Sequence, residues 1–117
     1  MSAQNKNATC RCTEPCPIKH AMSMIGGKWK ISILCALWFD GQMRYNELNC
    51  RIKGISNTML ASSLKELESD GLAKREQYPE VPIRVEYSVT EECAKLVPAF
   101  EIMRVWGMEK LKKQDEA

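Results

Sequence analysis

The sequence lacks any apolar run long enough to cross a bilayer. The longest, Ile31 to Phe39, is far shorter than the roughly 20 residues that a membrane-spanning helix needs. The opening segment, MSAQNKNATCRC, also lacks the apolar core of a signal peptide. We therefore expect a cytoplasmic protein that makes no contact with a membrane.

The sequence also has little excess of either charge, because 17 basic and 15 acidic residues leave a net charge of only +2. A case for a polyanionic partner must therefore rest on where the basic residues lie. His20 is the only histidine, and no paired carboxylates, glycine-rich phosphate loop or serine constellation accompany it in the sequence. We expect neither an enzyme nor a bound cofactor.

The six cysteines do not form the pattern of a secreted disulfide framework. Cys35 and Cys93 fall in apolar segments with helical periodicity, which is typical of buried free thiols in a reducing compartment. The thiols left available for chemistry are those of Cys10, Cys12, Cys16 and Cys50.

A metal site is one possible use of the N-terminal cysteines. Cys10, Cys12, Cys16 and His20 give the spacing C-x-C-x3-C-x3-H, which supplies four possible zinc ligands. This is not the spacing of a common zinc knuckle, and no second CxxC pair follows in the sequence. We therefore assign no metal site, and leave zinc or disulfide formation by these cysteines open.

Prolines and glycines divide the first half of the chain into helical segments. Residues 1 to 15 are polar without periodicity and predict a flexible arm. The segment CPIKHAMSMIGGKW then predicts a short helix with Pro17 in its first turn and a break at Gly26 and Gly27. The next segment, KWKISILCALWFDG, is apolar on most faces and predicts the central core helix.

The following two segments predict a pair of helices joined by a tight turn. A stripe of Tyr45, Leu48 and Ile52 predicts a short third helix. After a turn that contains Gly54, Ser56 is a good N-cap for a fourth helix in NTMLASSLKELESDG. Two helices in this arrangement resemble a helix-turn-helix.

The hydrophobic period then changes from 3.6 to 2, which predicts two strands over residues 72–78 and 85–89. Their connection, PEVPI, has two prolines that fix φ, so we expect an extended, protruding loop. Thr90 caps a single last helix, EECAKLVPAFEIMRVWGMEKLKK, which should kink at Pro98.

A helix pair followed by a hairpin indicates an α+β winged helix-turn-helix with extra N- and C-terminal helices. We expect residues 16–112 to form this domain and residues 113–117 to form a C-terminal tail. The last helix carries apolar side chains on more than one side, which is typical of a helix that packs on a second subunit. The predicted dimerisation residues are Ile18, Met22, Phe100, Met103 and Trp106.

In a winged helix, the second helix of the pair enters the major groove of double-stranded DNA, while the hairpin loop, or wing, reaches the minor groove or phosphates. The predicted contacts of that helix and its cap are Ser56, Asn57, Thr58, Ala61, Ser62 and Lys65. Arg44, Arg51 and Lys53 flank it and are predicted to bind phosphates, and Arg84 is the predicted wing contact. The same surface could instead bind a protein.

Three segments in this order resemble the HxlR family of bacterial and archaeal transcription regulators, which are relatives of the MarR regulators. They are CPIKHAMSMIGGKW, GISNTMLASSLKELESDGL and YPEVPIRVEYSVT, within a resemblance that covers about Cys16 to Trp106. It implies a homodimer, held by its first and last helices, that binds a near-palindromic inverted-repeat operator. It also implies that Cys16 is the sensing position for oxidants or electrophiles.

Two features depart from the family pattern. Small residues, from Thr58 to Ser63, occupy the recognition helix where lysine, arginine or glutamine is common, so no base preference is carried over. Cys10 and Cys12 are additional to the pattern.

Cys16 precedes Pro17, so we expect it to be the N-cap of the first helix, where the positive end of the helix dipole favours a thiolate. Cys50 is the predicted resolving partner, with Cys10 and Cys12 as competitors. A purely structural role for Cys16 stays open. So do a regulator that responds to a small apolar ligand between the subunits and a winged-helix module that binds protein.

Overall fold

The computed structural model describes residues 15 to 116, with side chains for residues 15 to 114. Most of the predicted N-terminal arm, including Cys10 and Cys12, lies outside the described residues. The elements are α1 Pro17–Ile25, α2 Lys30–Asp40, β1 Met43–Arg44, α3 Tyr45–Arg51, α4 Asn57–Ser69, β2 Ala73–Tyr78, β3 Arg84–Val89, α5 Glu91–Ala94 and α6 Val97–Glu116.

The core is built around α2, as its apolar composition predicts. Ile33 and Leu34 of this helix are completely buried. The facing helix α4 contributes Leu60, Leu64 and Leu67, whose spacing puts them on one stripe, and all three are buried. The close packing of α2 and α4 fixes the helix pair to the body of the molecule.

The predicted hairpin is confirmed. Strands β2 and β3 pair antiparallel, from Ala73 opposite Val89 to Tyr78 opposite Arg84. The loop between them protrudes, and Val81 at its tip is fully exposed. This loop is the wing, defined here as residues 79–83.

A third strand, β1, was not predicted. It pairs antiparallel with β3 through Met43 opposite Tyr87 and Arg44 opposite Glu86, which gives the sheet order β1-β3-β2. Two residues are too few for an alternating pattern to be recognised, since that signal needs about four or more. The short strand joins the start of α3 to the base of the wing.

The prediction of one kinked last helix is wrong, because the segment forms two helices. Thr90 caps α5 as expected, and its Oγ1 accepts a hydrogen bond from the backbone N–H of Cys93 at 3.2 Å. The chain then turns, and Pro98 becomes the second residue of α6. A proline in the first turn of a helix costs no intrahelical hydrogen bond, so Pro98 favours a new helix start over a kink.

The end of α6 also differs from the predicted domain boundary at residue 112. The helix continues to Glu116, so residues 113–116 belong to α6 and not to a separate tail. Lys113 lies in the last turn, where its positive charge interacts favourably with the negative end of the helix dipole and stabilises the helix.

The role predicted for Phe100 is corrected by its burial. Only 3% of its surface is exposed, and it packs in the core of its own chain, so it offers almost nothing to a partner. Sequence pattern could not separate it from its neighbours on α6, because apolar residues occur around most of the helix. The other predicted dimerisation residues are exposed: Ile18 by 67%, Met22 by 49%, Met103 by 52% and Trp106 by 61%.

Candidate functional site

The start of α4 is fixed by the turn and the cap that the sequence predicts. Gly54 has a φ of 88°, a left-handed conformation that side chains larger than hydrogen rarely adopt. Ser56 is the N-cap, and its Oγ accepts a hydrogen bond from the backbone N–H of Met59 at 3.1 Å. The first turn of α4 is therefore held in a defined orientation.

Two side chains of α3 also hold this end of α4. The Tyr45 hydroxyl donates a hydrogen bond to the backbone carbonyl of Asn57 at 2.8 Å, and the Asn49 amide donates to the Asn57 side-chain oxygen at 3.1 Å. Tyr45 and Asn49 are four residues apart and so lie on the same face of α3. Tyr45 was predicted only as part of the apolar stripe, and no role was predicted for Asn49. The four-residue spacing that places the two on one face could have been read from the sequence.

The outward face of α4 carries the predicted contact residues together. Asn57, Thr58, Ala61, Ser62 and Lys65 are all exposed, and their spacing places them on one side of the helix. The opposite side is buried. The face is polar and has small side chains, so the backbone of α4 could approach another molecule closely.

The three flanking basic residues lie in different places. Arg44 lies beside the wing, and Lys53 is exposed in the turn before α4. Arg51 forms an ion pair with Asp40 at the end of α2, with 2.5 Å between Nε and Oδ2. Its position on α3 is about half a turn from Asn49, so Arg51 points away from the start of α4.

The predicted wing residue, Arg84, is not a free cation in this structure. Its Nε and Nη2 donate to Oε2 of Glu80 at 3.1 and 2.7 Å, and its Nη1 donates to Glu86. Its guanidinium also stacks 3.9 Å from the ring centre of Tyr78. The hydrogen bonds to Glu80 and Glu86 raise the pKa of Arg84 above its ordinary value, and the hydrogen bonds from Arg84 lower the pKa of Glu80 below its ordinary value.

The carboxylate of Glu86 is part of a wider network at the wing base. The Gln42 amide donates to Glu86 Oε1 at 2.7 Å and to the Tyr78 hydroxyl at 2.9 Å. Arg44 Nε lies 3.9 Å from Glu86 Oε2. The contact between Arg44 and Glu86 depends on the register of β1 and β3 and could not be read from the sequence. Arg84 and Glu86 are two residues apart on one strand and so share a face, a spacing that was readable.

The two candidate redox cysteines lie on different helices. Cys16 is half-buried and is the N-cap of α1, as predicted, and its backbone carbonyl accepts from the His20 N–H at 2.9 Å. Its side chain makes no capping hydrogen bond. Cys50 is exposed near the end of α3. Neither forms a disulfide with another cysteine between residues 15 and 114.

The other two described cysteines are shielded, as their apolar surroundings predict. Cys93 is completely buried, and burial, with a smaller effect of the nearby Cys35, raises its pKa to about 11. Burial also raises the pKa of Cys35, with a further contribution from the charge of Glu101. Both stay protonated at neutral pH, so neither is suited to rapid reaction with oxidants.

Two further properties concern the described part of the chain alone. From residue 15 to residue 116, the helices are too short or too polar to pass through a membrane. In the same range, no three side chains of histidine, cysteine, aspartate or glutamate come together as possible metal ligands.

Comparisons with known proteins agree with this geometry. The family model for the HxlR-like helix-turn-helix matches residues 24–115. An HTH-type transcriptional regulator of Methanothermobacter thermautotrophicus is 48% identical over 92 residues, which are 79% of this chain and 70% of that protein.

Two solved structures resemble the chain closely. The redox regulator HypR in its reduced form has a TM-score of 0.78 and 37% identity, with 86% of this chain and 99% of that chain covered. The reduced form of the transcriptional regulator YodB from B. subtilis has a TM-score of 0.70 and 38% identity, with 78% and 89% covered. The fold, the polar face of α4 and these matches lead to one conclusion: the chain belongs to the HxlR-like helix-turn-helix family, whose members are DNA-binding transcriptional regulators and not enzymes.

Proposed function

We propose that the chain acts as a homodimer in which each α4 reads the major groove of an inverted-repeat operator. The observation that carries this proposal is the exposed polar face of α4, whose first turn is held by Ser56, Tyr45 and Asn49. A rigid helix with small outward side chains fits the major groove, where base edges are read. Lys53 and Lys65 supply positive charge beside it.

The homodimer is supported by apolar surface that the single chain leaves uncovered. Beyond Phe100, the exposed large apolar residues of α6 are Ile102, Met103, Val105, Trp106, Met108 and Leu111. On α1, Ile18 and Met22 are exposed as well. An apolar surface of this extent is typical of an interface, and a second copy with the same surface would satisfy both chains.

The test of DNA binding uses a negative charge placed on the outward face of α4. Duplexes selected from a random-sequence pool supply the operator, and fluorescence anisotropy measures affinity. We expect Ala61→Glu to weaken binding at least about tenfold, since a carboxylate would face the base edges and phosphates. The control Ser69→Glu adds the same charge at the far end of α4 and should have a much smaller effect. Equal affinity of the wild type and Ala61→Glu would contradict this use of α4.

We further propose that oxidation or electrophile modification of Cys16 controls DNA binding. Cys16 begins α1, one of the two helices assigned to the dimer contact, so its modification would alter the spacing of the recognition helices. The similarity to HypR, a redox regulator solved in oxidised and reduced forms, and to YodB, solved after diamide treatment, supports the proposal. Cys50 is the proposed resolving thiol, because it is exposed.

The thiol proposal is tested by measuring DNA affinity before and after mild diamide treatment. We expect the affinity of the wild type to change and that of Cys16→Ser to stay constant. Cys50→Ser should respond differently from the wild type if a disulfide forms, and non-reducing gel electrophoresis would then reveal a cross-linked dimer in the wild type only. An identical response of the wild type and Cys16→Ser would exclude Cys16 as the sensor.

A second candidate, regulation by a small apolar ligand, has one specific observation in its favour. A groove of about 730 Å³ lies between α2 and α6, and its walls include Trp29, Phe39, Phe100 and Met103. Its volume is within the usual range for small-molecule sites. The diamide experiment separates the candidates, since a regulator that responds only to such a ligand would not respond to the oxidant.

A further inference from the structure

A cleft of about 440 Å³ lies where the wing meets the start of α3. Its lining includes Arg44, Glu80 and Arg84. Arg44 comes from the strand β1, and Arg84 is the first residue of β3, so sheet pairing brings the two arginines to one place. This is the cation pair of the wing base.

Two carboxylates neutralise these cations. Glu80 accepts two hydrogen bonds from Arg84, and Glu86 accepts one and also lies 3.9 Å from Arg44 Nε. The positive charge of Arg44 also acts on Glu80 and contributes to the lowering of its pKa. Two positive and two negative groups leave the wing base without net charge.

The two carboxylates differ in how firmly they are built into the fold. The Glu86 side chain is 17% exposed, lies on the central strand and receives a further hydrogen bond from Gln42. The Glu80 side chain is 51% exposed and lies in the wing loop, with Arg84 as its hydrogen-bonding partner. Displacement of the Glu80 carboxylate from Arg84 therefore breaks only solvent-exposed hydrogen bonds. The hydrogen bond to Glu86 would still hold the guanidinium in position.

We propose that Arg44 and Arg84 form a binding site for a phosphodiester of the DNA backbone, and that Glu80 occupies this site until DNA displaces it. A guanidinium binds a carboxylate and a phosphate through the same fork of N–H donors, so one anion can replace the other. This proposal rests on the DNA-binding function above. It gives the wing base a defined ligand and makes Glu80 an internal competitor of DNA.

The competition has a measurable consequence. When DNA binds the wild type, the arginine exchanges one anion for another, and the displaced Glu80 carboxylate stays close to the incoming phosphate. Like charges at short range repel, and the freed carboxylate takes up a cation from solution. Both effects weaken binding and reduce its dependence on salt. Glu80→Gln removes the charge but keeps a side-chain oxygen that Arg84 can bind.

The experiment measures the affinity of the full chain for a labelled mixed-sequence duplex of about 30 base pairs over a series of salt concentrations. We expect Glu80→Gln to bind about three- to tenfold more tightly than the wild type at low salt, with a steeper salt dependence by up to one phosphate contact. The matched control is Glu91→Gln, which removes the same charge from an exposed position in the first turn of α5, beyond the end of β3 opposite to Arg84. It should change affinity much less.

A double variant distinguishes the proposed site from a general charge effect. In an Arg84→Ala background, Glu80→Gln should tighten binding much less, since the cation that Glu80 binds directly is absent and only the charge of Arg44 remains beside it. A gain of the same size in that background, or equal gains for Glu80→Gln and Glu91→Gln, would overturn the proposal. A wild type without salt-dependent affinity for the duplex would instead overturn the DNA-binding function itself. Melting curves of each variant ensure that folded proteins are compared.

Discussion

At the scale of single residues, Arg84 has more than one partner, and this changes what its loss should do. The sequence alone suggests that Arg84 is exposed and that its replacement affects only DNA binding. In the structure its side chain is 23% exposed, is bound to Glu80 and Glu86, and lies on the ring of Tyr78. These contacts close the base of the wing, so the residue also contributes to folding.

We predict that Arg84→Ala lowers both the melting temperature and the affinity for DNA. Its removal leaves the part-buried Glu86 carboxylate without its closest cation and uncovers Tyr78. Circular dichroism and anisotropy measure the two effects. Lys74→Ala, on the exposed part of β2, is the control and should leave the melting temperature unchanged. A melting temperature equal to that of the wild type would argue against a structural role for Arg84.

At the scale of elements, the sequence predicts most of the helices and the hairpin correctly, because their signals are local. The caps at Ser56 and Thr90 are confirmed for this reason. The strand β1 and the contact of Arg44 with Glu86 were missed, since both depend on strand register between distant segments. The exposed face of α4 could be predicted because its helical period is a local signal. The neutralised wing base could not, because it brings together residues from distant segments.

The helix α6 has a buried part and an exposed part, and substitutions should separate the proposed roles of the two. Phe100 lies in the core, so Phe100→Ala should lower the free energy of unfolding by about 3–5 kcal/mol. Trp106 is 61% exposed, so Trp106→Ala should instead weaken self-association, with a far smaller effect on the core. Chemical denaturation at several protein concentrations, with light scattering, distinguishes these effects. Loss of stability without a change in association for Trp106→Ala would place the interface elsewhere.

At the scale of the whole molecule, we propose complementary uses for two surfaces, the apolar residues of α1 and α6 and the polar face of α4. The apolar surface would join two copies, and each copy would present one α4. A two-fold symmetric dimer of this kind binds DNA through two recognition helices about 34 Å apart, which is one turn of the duplex. The arrangement requires an operator that is an inverted repeat with fixed spacing.

The spacing requirement gives the last prediction. Inserting about 5 base pairs between the two half-sites of a selected operator rotates one half-site by about half a turn, so that a single dimer cannot contact both through the major groove. We expect affinity to fall to about that for a duplex with a single half-site, while the same insertion outside the repeat should have no effect. Light scattering should give a dimer of the 13.3 kDa chain at micromolar concentration. Unchanged affinity for the respaced operator would mean that the two recognition helices act independently, and a stable monomer in solution would remove the dimer from the proposed function.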